Sequence, residues 1–170
     1  MIIRCTGKLL KEIGVGKSKA IPPVSHTSLL GDWHAHLLYI DRHKCVLFVN
    51  DRTRFNFIVP DIPRAQIRTL SRLFEQWLRC VLSDENVALN IQNQIFEEYA
   101  PIEYAPSNNR SVLGSINDLA YHYKHAIFME GGVHSPVVPE IIREMNRMPM
   151  SPLRYKDPIR MLKELYESAT

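Results

Sequence analysis

The hydrophobic period of the chain changes near residue 60. Before that point apolar residues fall in short runs cut by turn-forming clusters. Residues 33–40 (W-H-A-H-L-L-Y-I) read as a strand, D-R-H-K at 41–44 as a turn, and C-V-L-F-V at 45–49 as a second strand. N-D-R at 50–52 is a second turn and R-F-N-F-I-V at 54–59 a third strand. Strands joined this closely pair antiparallel as a meander. The middle strand is apolar on both faces and needs cover on each. The third alternates, which puts Phe55, Phe57 and Val59 inward and Arg54 and Asn56 outward. A short strand at residues 2–5 and a short helix at 6–13 come first, with Thr6 as its cap and Gly14 as its stop. A polar, proline-containing loop follows over residues 17–30.

Beyond residue 60 the period is helical. Ile67, Leu70, Phe74, Trp77, Leu78 and Val81 recur every three to four positions behind Pro63, a helix of about five turns. Ser83 reads as the cap of the next helix, with Asp84 and Glu85 at its positive end and Val87, Ile91 and Ile95 as its apolar stripe. The tandem E-Y-A-P-I-E-Y-A-P at 98–106 holds two prolines, so it supplies at most an edge strand near residues 102–104. Further helices are predicted over 111–128, ended by Gly131-Gly132, over 136–146, and over 158–167, where Asp157 and Pro158 form a cap and first turn. The expectation is a single α+β domain over residues 1–170: an antiparallel meander sheet of about four to five strands packed with four to six helices.

Composition narrows the class without naming a function. With 45% apolar and 23% charged residues the chain is a folded protein, not a disordered one. A net charge of +3 permits nucleic-acid contact but does not argue for it. Cys5, Cys45 and Cys80 are odd in number and lack CxxC spacing, so neither a disulfide framework nor a zinc knuckle is expected; free, largely buried thiols in a reducing cytoplasm fit best. No apolar run is of membrane-spanning length and no leader is read at the N-terminus, so a cytoplasmic location is expected.

The densest candidate chemistry is N-N-R-S-V-L-G-S-I-N-D-L at residues 108–119, which reads as a polar helix start. At 100° per residue, Ser111, Ser115, Asp118, His122 and His125 share one stripe, apart from the apolar face. Asp118 stands one turn before His122, where a carboxylate could orient an imidazole, and these are the candidate catalytic residues of a hydrolase or nuclease reading. Against it, triads converge from separate elements and their serine sits on an exposed turn. The competing reading is a solvated helix side. Gly114 inside the helix points to close approach of a strand or of a ligand. His34 and His36 project from one strand face and with His122 or His125 could hold a metal, but no acidic partner has diagnostic spacing, so no metal and no cofactor are expected. Arg64, Arg68 and Arg72 form a stripe that could track phosphates; without interleaved aromatics it reads as a solvated basic face. G-V-G-K-S at 14–18 lacks the full phosphate-loop spacing and follows a helix, so it reads as a helix stop. Met145, Met148 and Met150 read as core filling.

Several blocks carry a family resemblance. They are M-I-I-R-C-T-x-K-L-L-K-E at 1–12, G-D-W-H-A-H-L-L-Y-I-D-R at 31–42, C-V-L-F-V-N-D at 45–51, N-R-S-V-L-G-S-I-N-D-L at 109–119, M-N-R-M-P-M-S at 145–151 and Y-K-D-P at 155–158. On these the chain resembles a family of small bacterial proteins classified only as a domain of unknown function. The resemblance implies a short stand-alone protein, suited to an accessory gene of a mobile element, and brings no activity, cofactor or catalytic residue with it. The function expected is a binding or interaction module, acting alone or as a homodimer, with the hydrolase or nuclease and then a weakly basic nucleic-acid binder as alternatives. Any site is expected where Asn109, Arg110, Ser111, Ser115 and Asp118 meet Asp32, His34 and His36. The rival there is a structural knot in which Arg110 and Asp118 satisfy buried backbone groups.

Overall fold

Five strands form one sheet in the order β4-β3-β2-β1-β5: β1 Ile2–Cys5, β2 Trp33–Ile40, β3 His43–Asn50, β4 Asn56–Val59 and β5 Glu103–Pro106. This computed structural model describes residues 1–15, 28–99 and 101–168; the loop expected over 17–30 up to residue 27, residues 16–18 of G-V-G-K-S, and Ala100 of the tandem lie outside them. The β2–β3–β4 meander is antiparallel as its short turns require. The sheet as a whole is mixed, because β1 runs parallel to both β2 and β5. The connection from β1 to β2 carries helix α1, Gly7–Ile13, and is long enough to return the chain in its original direction, which a hairpin cannot do. The edge strand of the E-Y-A-P tandem is present, one residue later than expected.

Six more α-helices complete the described residues: α2 Arg64–Ile67, α3 Leu70–Asp84, α4 Leu89–Glu97, α5 Arg110–Met129, α6 Val138–Met145 and α7 Pro158–Glu167. That is seven rather than four to six, because the helix expected after Pro63 is broken at Arg68 and Thr69. Ser83 lies inside α3, so it is not a cap; α4 begins after Ala88, whose side chain cannot cap. Thr6 does occupy the cap position of α1, but its hydroxyl makes no capping bond. Asp157 caps α7 through Arg160 N, as expected.

Register assigns the two faces. One row across the sheet runs Ala105, Arg4, His34, Val49, Asn56. Helix α5 covers this face, where the Tyr123 hydroxyl donates to Asn56 Oδ1 at 2.8 Å. The next row out of phase puts Ala35, Phe48 and Phe57 on the other face. There Trp33, Phe48, Phe57 and Phe74 of α3 form one aromatic cluster, with centroids 5.1 Å apart for Trp33–Phe74 and Phe48–Phe57. With both faces covered, β4 has no solvent side: Asn56 is fully buried and Arg54, just before it, nearly so, which overturns their outward placement. Cys5 and Cys45 are buried as expected, while Cys80 is exposed; all three are free.

Candidate ligand cleft beside a stitched helix start

The start of α5 is tied down by the β3–β4 turn. Asn109 caps the helix by accepting from Ser111 N and Val112 N at 3.0 and 3.3 Å, and its amide donates to Asp51 Oδ1 at 3.2 Å. The Arg54 guanidinium donates to Ser111 Oγ at 3.2 Å and to the Asp51 carbonyl. The turn is held in turn by Asn50, whose Oδ1 accepts from Arg52 N, Thr53 N and the Thr53 hydroxyl. The cation of the knot is therefore Arg54, not Arg110, which is exposed and makes no polar contact among the described residues. Sequence reading missed Arg54 because strict alternation placed it in solvent.

The Asp32–His36 end of β2 meets this knot through its backbone: the Asp32 carbonyl accepts from Asp51 N at 2.9 Å and from Asn50 Nδ2 at 3.3 Å. Asp32 accepts from Ile2 N and pairs with Arg4, Nη2 to Oδ2 3.0 Å, bracing the β1–β2 pair. His34 is fully buried and neither ring nitrogen has a hydrogen-bond partner among the described residues. Burial, with Arg4 and Arg54 nearby, drops its pKa from 6.5 to about 4, so it is neutral at pH 7. Burial also lowers His36, helped by Lys124 and Lys8.

The polar stripe of α5 opens instead on a cleft of about 500 Å³. Ser111, Gly114, Ser115, Asp118, Leu119 and His122 make one wall; residues 148–152 and Tyr155 make the other. Asp118 and His122 are exposed there, while Ser115 is buried with its hydroxyl donating to Ser111 O at 3.3 Å. No hydrogen bond joins Asp118 to His122 or Ser115 among the described residues, so the three are on one wall without forming a relay. His125 lies outside this cleft. Gly114 does not pack on a strand, one of the two readings of the sequence: a Cβ built on it meets nothing within 4 Å, and the missing side chain leaves the cleft floor open. Met145 fills the core, whereas Met148 and Met150 are half-buried lining. Arg154 and Tyr155 both adopt left-handed backbone, φ 54° and 62°, closing the 3₁₀ turn Ser151–Leu153 and leaving Tyr155 76% exposed at the cleft mouth. No histidine pair across α5 could share a metal with His34, which is sealed under the helix while His122 faces the cleft.

Fold and cleft together define a small α+β protein with a mixed five-stranded sheet and a helix-walled cleft. The family described as Domain of unknown function (DUF6933) matches residues 2–161, and the chain belongs to that family. No curated protein and no solved structure matches it. Among the described residues no helix is long and apolar enough to cross a membrane.

Proposed function

We propose that the protein is a binding module whose ligand is a small amphipathic cation seated between α5 and residues 148–155. The observation that carries this reading is the make-up of the cleft: Asp118 is the single charged side chain among its lining residues, and no partner engages it among the described residues. Around it stand the thioethers of Met148 and Met150, the Leu119 side chain and the Tyr155 ring. A carboxylate ringed by soft apolar groups favours a protonated amine attached to an aromatic or aliphatic body. The volume suits such a ligand, since small-molecule sites run from roughly 300 to 1,000 Å³. Residues Asn109, Ser111 and Ser115 act as the frame of the wall, not as the contacts that choose the ligand. A hydrolase reading has less support, because Ser115 is buried and spends its proton on Ser111 O. The free thiols of Cys5, Cys45 and Cys80 fit the reducing cytoplasm.

The test uses three probes that share the indole ring and differ in charge: tryptamine, indole and indole-3-acetate at pH 7.5. Tryptamine is expected to shift the backbone amide resonances of Asp118, His122, Met148, Met150, Ser151 and Tyr155, and indole-3-acetate to leave them in place. Asp118→Asn should abolish the preference for the amine, and Gly114→Leu should fill the cleft and block all three. Equal shifts for amine and acid, or none in this segment, would sink the reading.

A further inference from the structure

His43, Asp61 and His134 come from three separate segments and converge at one point of the surface, far along the sheet from the start of α5. His43 opens β3, Asp61 follows β4, and His134 follows α5. His43 Nδ1 lies 2.8 Å from Asp61 Oδ1, and His134 Nε2 lies 3.4 Å from Asp61 Oδ2. One nitrogen from each ring and a carboxylate oxygen all fall within 4.8 Å of one another. The two rings are 5.1 Å apart and nearly perpendicular, at 84°, so they do not stack.

We infer that these three side chains form an open binding site for a divalent transition metal of the Zn²⁺ class. Ligand atoms about 2.0–2.1 Å from a shared zinc stand roughly 2.9–3.4 Å from each other, the range in which the two histidine–aspartate separations already fall. Two imidazoles and one carboxylate are borderline donors, suited to Zn²⁺, Co²⁺ or Ni²⁺ and poorly suited to Mg²⁺ or Ca²⁺. The backbone holds each ligand in place. Asp61 adopts left-handed backbone, φ 46°, between Pro60 and the pair Ile62–Pro63, and Ile62 N donates to Lys44 O at 2.7 Å. His43 follows the tight turn at Asp41 and Arg42, both left-handed at φ 46° and 71°. His134 follows Gly131 and Gly132, at φ 93° and 94°, and is anchored by buried Val133 beside it. Three separate turns thus bring the three side chains to one point, and of the ligands Asp61 itself holds a left-handed backbone that a non-glycine residue seldom adopts. Cys45 is close by, but its thiol is directed at the His43 carbonyl and burial raises its pKa, so it is not a ligand. The side chains of His43, Asp61 and His134 are 39%, 44% and 70% exposed, which leaves the remaining coordination positions to water or to a ligand.

The test is titration of the metal-stripped protein with Co²⁺, followed by visible absorption, and with Zn²⁺ by calorimetry. One equivalent per chain is expected to bind, and Zn²⁺ is expected to raise Tm, as any ligand of the folded state does. Asp61→Asn and His134→Ala should each weaken Zn²⁺ at least about tenfold, since each removes a ligand from a three-ligand set. His125→Ala should change nothing, and excess Mg²⁺ should not compete. All three altered positions are at the surface, and unchanged far-UV circular dichroism would confirm folding. Failure of the intact protein to bind Zn²⁺ at about 100 µM, or unaltered binding by both ligand variants, overturns the site and leaves an ordinary His–Asp–His ion pair.

Discussion

His34 is the residue on which acid stability turns. A histidine without a hydrogen-bond partner for either nitrogen, buried between two arginines, resists protonation in the folded state only. Between pH 6.5 and about 4 the unfolded chain takes up a proton that the native one refuses, so stability falls as pH drops through that window and levels off below it. The full loss from this one group is about 3 kcal/mol, and His36 adds to it with the same sign. Urea unfolding at pH 7.5 and pH 4.5 is expected to show the loss in the parent chain and a clearly smaller one in His34→Leu; equal losses would remove His34 as the cause. The sequence displayed this histidine and its neighbour as an H-x-H pair, and alternation put both on one face. It did not tell that the face is roofed by α5, and the chemistry of a histidine depends on that roof: open, it is a ligand; closed, it is a buried neutral group.

At the scale of elements, the edge of the sheet at β4 is met by a side chain from the end of α6. β4 is an edge strand, and edges with free N–H and C=O groups invite pairing with other chains. Asn146, at the end of α6, takes the place of a neighbouring strand: its Oδ1 accepts from Asn56 N at 2.9 Å and its Nδ2 donates to Asn56 O at 2.7 Å. The same amide donates to Ile142 O, and Ile159 N donates to the Asn146 carbonyl, so the segment that builds the second wall of the cleft is hung from this point. Asn146→Ala strands a buried donor and acceptor on β4, and a loss of about 2–4 kcal/mol is expected, with faster amide exchange at Asn56. A loss below about 0.5 kcal/mol would mean that water or a neighbour replaces the amide. M-N-R-M-P-M-S stood out in the sequence, but its role could not be read there. A side chain that pairs with backbone 90 residues away leaves no period to detect. Ser111, Asp118 and His122 were legible as one stripe because helical spacing is local; the wall of methionines and Tyr155 opposite them was not.

For the whole molecule, the elements were largely readable and their arrangement less so. The order of the meander strands, α5, α6 and α7 follow from hydrophobic period and caps, while β3 starts two residues earlier than expected, at His43, and β4 two residues later, at Asn56. The direction of β1 does not, because nothing local in Ile2–Cys5 distinguishes a parallel from an antiparallel neighbour. That placement governs the order in which the molecule can assemble. The meander needs only contacts between adjacent segments, whereas β1 waits for β5: the Met1 ammonium donates to the carbonyl of Pro101, 100 positions later. Closing so long a loop is the slow kind of step in folding. In pulsed hydrogen exchange during refolding, amides of β2 and β3 should gain protection before those of β1 and β5; simultaneous protection would show a single concerted closure. A chain emerging from the ribosome would expose an unpaired flank of β1 until residue 106 had been made, even though β1 precedes the other four strands of the sheet. The first of the five strands in chain order is thus among the last to be secured, and this interval is when the chain is most open to pairing with the wrong partner.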